Sequence, residues 1–290
     1  GMGGRLDATN VILPIISVIT NISLEHQFFL GNRLMEIAYE KAGIVKDNVD
    51  LVTGARQRRV VDFFREVCRD KNAPFWKLGK DFRYRSKRGI FSYYGITRNI
   101  KGINLSLKGR FQIRNAALAL FIIELLERKG YQIGEDQIIS GLINAKWPGR
   151  MHIFSRNPLL ILDGAHNPSA IRELYCSIKE DFIFKNMILV IGVMKDKDIN
   201  NILRNIIPFA DHVIFTRPKY YRSASPLKLW DLSEGVCKSG EIIESLPVAI
   251  DKARDIALSD DLILVTGSLF TVGEALSYLD PVKFNPDNIS

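Results

Sequence analysis

The second half of the chain alternates continuous apolar runs with amphipathic stretches at regular intervals. Leu159–Asp163 and Ile188–Met194 are short, uninterrupted and aliphatic, a pattern that predicts strands buried on both faces. Helical periodicity follows each of them, over Pro168–Phe182 and Ile199–Ile207. The alternation continues through His212–Thr216, Leu227–Lys238, Glu241–Ser245 and Val248–Leu258 to a last strand, Leu262–Thr266, and a closing helix, Val272–Tyr278. Strands and helices in strict alternation predict a doubly wound α/β domain, a parallel sheet covered on both faces.

The first half is less regular. Ile15–Asn21 and Leu51–Gly54 predict buried strands flanking a helix over Leu34–Val45, with a second helix at Val60–Lys71 and a short strand at Phe75–Leu78. Between Phe82 and Leu107 the pattern changes to short β-rich pieces broken by Gly89, Gly95 and Gly102, which predicts hairpins attached to an α/β body. Helices are expected over Asn115–Arg128 and Glu135–Asn144. The helix breakers in Trp147-Pro148-Gly149 place the expected domain boundary there, dividing the chain into 1–147 and 148–290. The opening Gly1-Met2-Gly3-Gly4-Arg5 is a glycine-rich turn with no strand before it, which predicts a domain lacking its first strands.

With 290 residues the chain can bury two cores, and a composition 47% hydrophobic and 25% charged excludes wholesale disorder. No apolar run approaches the roughly 20 residues of a membrane-spanning helix, and no export leader is visible, so neither a membrane nor a secreted role is expected. Cys68, Cys176 and Cys237 lie far apart with no CxxC pair, which fits reduced thiols in a cytoplasmic protein. The net charge of +8 suits anionic partners. Its cations are dispersed, with no zinc-finger spacing and no aromatic RNA-binding pattern, so nucleic acid is not the expected partner.

Ligands of open α/β sheets bind outside the carboxyl ends of the strands. Four segments put unexpected polar chemistry at such places or beside them: Thr20–His26 after a strand, Glu36–Gly43 in a helix, Asp163–Pro168 after a strand, and Thr266–Phe270 after the last strand. Taken singly these are moderate signals: a structural histidine, a solvated helix face and a helix cap account for three of them, while the Asp163–Pro168 turn is hard to explain by packing.

Taken in order they are specific. The runs GGRLDATN (3–10), SVITNISLEH (17–26), EIAYEKAGIVK (36–46), FQIRNAALAL (111–120), WPGRM (147–151), DGAHNP (163–168), GVMKDKD (192–198) and TGSLFTVGEA (266–275) resemble folylpolyglutamate synthase/dihydrofolate synthase, of the Mur ligase superfamily. The resemblance covers the chain nearly end to end. It implies a partial P-loop-type central Mur ligase domain followed by a Rossmann-like domain. The implied chemistry is ATP-dependent ligation of L-glutamate to a folate or dihydropteroate carboxylate through an acyl phosphate, with Mg²⁺. By the same resemblance His26 would bind Mg²⁺, and Lys41 would be the carbamylated lysine, catalytic and metal-associated. Asn115 would bond adenine, Arg150 the phosphates and Asp163 the ribose. His166 would act beside the transferred phosphate or incoming glutamate, with Lys197 and Ser268 contacting the amino acid.

The chain also departs from that family. No GxxxxGK[ST] run occurs in it, a Mg²⁺-binding glutamate expected just before Gly1 is absent, and Phe111 stands where relatives carry histidine. A truncated sequence, inactive toward ATP by itself and with Lys41 unmodified or partly modified, is therefore the expectation. A non-catalytic nucleotide- or amino-acid-binding protein and a Mur-type cell-wall ligase are the competing readings. Whether the parent adds the first or later glutamates stays open.

Overall fold

The computed structural model describes residues 3–23, 31, 33–87 and 89–285. The chain divides into two compact units, Gly1–Ser106 with Phe111–Ala145, and Leu107–Arg110 with Lys146–Ser290. The division near Lys146 falls beside the Trp147–Gly149 breakers. The assignment of Leu107–Arg110 to the second unit has no counterpart in the sequence reading.

In the first unit, β1 (Ile16–Ile19), β2 (Asp50–Thr53) and β3 (Phe75–Lys77) form a parallel sheet in that order. Helices α1 (Leu34–Ala42) and α2 (Arg58–Asp70) cover one face. Ile37, Ala38 and Ala42 of α1 and Val60, Val61, Phe64 and Cys68 of α2 pack there with Ile19 and Leu51. The three- and four-residue spacing of these positions is what placed the helices in the sequence.

A second, antiparallel sheet follows, β4 (Arg83–Lys87), β5 (Ile90–Tyr94) and β6 (Asn99–Asn104), the hairpins expected between Phe82 and Leu107. Helix α3 (Arg110–Arg128) joins its buried Phe91, Tyr93, Ile100 and Ile103 to Val52 of the first sheet through Ala117, Leu118 and Phe121. Helix α4 (Glu135–Asn144) adds Ile138 to the same cluster. Glu124, on the buried side of α3, has one carboxylate oxygen that accepts from the N–H groups of Ile96 and Thr97 at 2.9 and 2.8 Å, fastening the second hairpin to the helix. Among the described residues β1 pairs with β2 alone.

The second unit is a six-stranded sheet. Its strands are β7 (His152–Arg156), β8 (Leu159–Asp163), β9 (Met187–Ile191), β10 (His212–Arg217), β11 (Gly240–Ser245) and β12 (Leu262–Thr266), arranged β11-β10-β9-β12-β8-β7. Five strands are parallel, in the Rossmann-like manner. The sheet is not wholly parallel as expected, because β7 runs antiparallel on the edge beside β8.

The helices are α5 (Pro168–Asp181), α6 (Ile199–Ile206), α7 (Pro226–Asp231), α8 (Leu246–Ile256), α9 (Leu269–Leu279) and α10 (Pro281–Phe284). On one face Leu160, Leu162, Ile188, Val190, Ile263 and Val265 meet Ala249, Ile250 and Ala253 of α8 and Val272, Ala275 and Leu276 of α9. The alternate residues Ile161, Leu189 and Leu264 point to the opposite face and are also fully buried. Burial on both faces is why these strands read as unbroken apolar runs. Helix α7 stops at Asp231, well short of the Lys238 expected, because Ser233 and the positive-φ Gly235 turn the chain there.

Candidate active site

The site in the second unit is built on the carboxyl ends of β8, β12 and β9. Asp163 and Thr266, the last residues of their strands, are paired in register, and the Thr266 hydroxyl donates to the Asp163 carbonyl at 2.7 Å. The Gly192 N–H, just past β9, donates to the Thr266 carbonyl at 3.1 Å. The Thr271 hydroxyl returns from α9 to the Gly192 carbonyl at 2.7 Å. Gly267 holds φ at +112°, and a Cβ there would lie 2.5 Å from the Gly192 carbonyl oxygen. Glycine is required by both conformation and space. The three strand ends are thus laced together by short polar bonds, which fixes the loops that leave them.

Asp163 is 2% exposed. One of its carboxylate oxygens accepts from the Met151 N–H and the other from the Ala165 N–H, each at 2.8 Å. Burial pushes its carboxyl above the usual carboxylate range, against the pull of those two N–H groups and of Arg150 and His166 nearby. The bond to Met151 draws the Trp147–Met151 segment over the end of β8, where Gly149 and Met151 take positive φ of 76° and 45°. The Gly164 N–H donates to the Gly149 carbonyl at 2.9 Å. Arg150 is half-buried, and its charge acts on the Asp163 carboxylate without a direct ion pair among the described residues.

The next turn carries His166. Its Nδ1 lies 2.8 Å from the Gly164 carbonyl. A carbonyl oxygen can only accept, so Nδ1 carries a proton, which leaves Nε2 as the ring nitrogen turned to other partners. Asn167 then caps α5, accepting from the Ala170 N–H at 2.7 Å, with Pro168 in the first turn. His166 therefore stands directly before a helix N-terminus, a place that favours negative charge.

Lys197 and Ser268 are both engaged. Lys197 pairs with Asp196 at 2.9 Å, and burial of the Asp196 carboxyl is outweighed by Lys197 and Arg222, leaving it below its ordinary range. The Ser268 hydroxyl, buried, caps α9 by accepting from the Thr271 N–H at 2.9 Å and meets the Thr271 hydroxyl at 2.8 Å. The cap is the alternative that its position before a helix also allowed.

In the first unit Lys41 lies in the last turn of α1, half-buried, and among the described residues it forms no ion pair. The neighbouring acid is already taken: Glu40 pairs with Arg5 at 3.0 Å. Arg5 also donates its N–H to the Glu40 carbonyl at 2.8 Å. Asn10 bonds the Gly43 carbonyl at 3.0 Å, and Lys46 bonds the Asn10 carbonyl at 2.7 Å. Gly4 and Gly43 allow this contact, since a Cβ on either would fall 2.7 Å from the Glu40 carbonyl oxygen and 2.4 Å from Arg5 Cα respectively. The segment after Gly3 is thus a brace around the Lys41 turn. Arg5, Asn10 and Glu40 received no role from the sequence, although all three lie in runs singled out there. Asn115 is exposed on α3 and bonds Gln112 at 3.3 Å. His26 lies outside the described residues, which contain no cluster of three or more histidine, cysteine or acidic side chains able to hold a metal.

Residues 149–269, which hold the buried Asp163, His166 and the glycine turn at Gly267, match the Mur ligase, glutamate ligase domain family. A protein of Schizosaccharomyces pombe named "Probable dihydrofolate synthetase" is 31% identical, with 96% of this chain and 69% of the relative covered. The dihydrofolate synthase/folylpolyglutamate synthase of Bacillus subtilis is also 31% identical, over 94% of this chain and 65% of its own length. The solved structure of Escherichia coli FolC in complex with DHPP and ADP superimposes with a TM-score of 0.88 at 29% identity, covering 98% of this chain and 66% of that one. The chain belongs to the dihydrofolate synthase/folylpolyglutamate synthase family. It spans just under two thirds of the length of the Bacillus subtilis relative.

Proposed function

We propose that the protein serves ATP- and Mg²⁺-dependent ligation of L-glutamate to the carboxylate of a folate or dihydropteroate, in the cytoplasm. The observation that carries this reading is the Asp163–His166 turn at the end of β8, inside the residues matched to the glutamate ligase domain, with the Met151 N–H bonded to its Asp163 carboxylate. In the proposed reaction the substrate carboxylate oxygen bonds the γ-phosphorus of ATP while the bond to the leaving ADP breaks. The glutamate amine, having lost a proton, then attacks the acyl carbon of the resulting acyl phosphate, and inorganic phosphate departs as the amide forms.

Arg150 offers a planar donor fork to phosphate oxygens. Asp163 is too buried for easy contact with ribose, so its part is to position the Arg150–Met151 turn. His166 Nε2 takes the amine proton. Lys197 supplies positive charge for an amino-acid carboxylate, and Asn115 an amide edge for adenine. The Ser268 hydroxyl is consumed in its cap, so its role here is to hold the turn at Gly267. Lys41 can join a Mg²⁺ site only as a carbamate, which turns an ammonium into an oxygen ligand; its lack of an ion pair among the described residues and its half-buried position suit that change. Bound Mg²⁺ would neutralise charge developing on the phosphates.

The test has two arms. Mg–ADP should stabilise the 290-residue chain against heat, and Arg150→Ser should remove that shift. With ATP, glutamate and dihydropteroate this chain should release no ADP, because it carries no GxxxxGK[ST] run. Joined to the part of the Bacillus subtilis relative that this chain does not match, it should release ADP only when both other substrates are present, and His166→Ala should abolish that release. A joined chain that binds Mg–ADP yet never forms a glutamate amide defeats the ligase reading.

A further inference from the structure

Residues 82–123 contain no aspartate or glutamate. The antiparallel sheet β4-β5-β6 lies in this stretch, with its inner face closed against α3 by Phe91, Tyr93, Ile100 and Ile103. Its outer side carries Arg83, Arg85, Lys87 and Lys101, all exposed. Among the described residues none of these four meets a carboxylate, whereas Arg98, in the turn between β5 and β6, is committed to Glu127 and Glu135. Arg83 and Arg85 are held over the Tyr94 ring, 5.7 and 5.9 Å from its centre. Alternate residues of an antiparallel strand stand about 6.8 Å apart, so Arg83, Arg85 and Lys87 make an evenly spaced cationic row.

We propose that this outer face of the β4-β5-β6 sheet is a docking surface for an acidic chain, a γ-linked oligoglutamate tail. The charge row asks for a polymer with anions at a matching interval. A γ-glutamyl chain offers one free carboxylate per five backbone atoms, about 6 Å apart along the chain, and rotation about its two methylene carbons lets successive carboxylates turn to one side. Arginine takes carboxylates through paired donors, and two of the three cations in the row are preordered on Tyr94. Single-stranded nucleic acid fits less well. It needs bare aromatic faces for its bases, but Phe91 and Tyr93 are buried and the Tyr94 ring is occupied by guanidinium groups. The choice of glutamate as the polymer rests on the ligase reading above; the existence of an anion-binding face does not.

The experiment is fluorescence anisotropy of a labelled penta-γ-glutamate with the whole protein and no ATP. Binding is expected at low salt, and it should collapse toward 0.5 M NaCl as exposed charges are screened. The triple variant Arg83→Ser/Arg85→Ser/Lys87→Ser should bind roughly ten-fold more weakly or worse, each exposed pair contributing modestly. Lys101→Ser, on the neighbouring strand, should show a smaller loss. Melting temperature and the Mg–ADP shift, read on the same samples, should not change. Unaltered tail binding in a folded triple variant, no binding at low salt, or tighter binding of an oligodeoxythymidylate of equal charge each overturns the proposal. Loss of tail binding with the Mg–ADP shift intact strikes this face alone. A missing Mg–ADP shift strikes the ligase reading and leaves the tail measurement standing.

Discussion

Two glycines six residues apart should respond to alanine in opposite directions. Gly267 sits where β12 gives way to α9, at a φ of +112°, a region that costs a residue with a Cβ about 1–3 kcal/mol. The added carbon would also lie 2.5 Å from the Gly192 carbonyl oxygen, 3.0 Å from its carbonyl carbon and 3.1 Å from Val193 Cγ2. That carbonyl cannot simply retreat, because the Thr271 hydroxyl bonds it at 2.7 Å and the Gly192 N–H is tied to Thr266. Overpacking of this kind costs about another 1–3 kcal/mol, so Gly267→Ala should lose about 2–6 kcal/mol. Gly273 lies on the exposed side of α9 with nothing within 4 Å of its would-be Cβ. Gly273→Ala should gain about 0.5–1 kcal/mol from helix propensity. Urea unfolding of both variants beside the parent reads the difference, and since both changes lie in the second unit the first contributes equally throughout. A Gly267→Ala protein within about 0.5 kcal/mol of the parent, the range of an ordinary surface substitution, would mean that the strand ends are not laced as described.

Two further outcomes follow from buried groups. Glu124→Leu should destabilise the first unit by about 2–4 kcal/mol in urea, because the Ile96 and Thr97 N–H groups lose a charged acceptor; Glu124→Gln, which keeps an acceptor, should lose less. Burial pushes the Cys68 thiol up to about 11, so at pH 8 only about one in a thousand is thiolate and a thiol reagent should label exposed Cys176 first. The sign for stability follows: with its folded pKa raised, Cys68 contributes fully below the ordinary thiol range and loses that contribution as pH rises toward 11. Labelling of Cys68 in the native protein at a rate near that of Cys176 would contradict its burial.

Much of this architecture is local and legible in the sequence. The strands β8, β9 and β12 announce themselves because a strand covered on both faces must be apolar at every position, and α1 and α2 because a one-sided helix repeats its apolar residues every three or four. The turns that carry Asp163, His166 and Gly267 were legible for the same reason, as polar residues where packing would not choose them. Edge strand β7 was not legible: His152–Arg156 is only partly buried and breaks register between Ile153 and Ser155, so it has neither a continuous apolar run nor clean alternation. Nor could the place of Leu107–Arg110 be read, since it depends on Gly109 and Arg110 bonding Asp181 and Ser177 some seventy positions onward. Composition showed that cations were many, but only pairing distances separate Arg98, neutralised by Glu127, from Arg83 and Arg85, which face solvent over Tyr94. The same holds for the Lys41 turn. Its motif was visible in one dimension, while the brace of Arg5 and Asn10 around it exists only because the fold closes a gap of more than thirty residues.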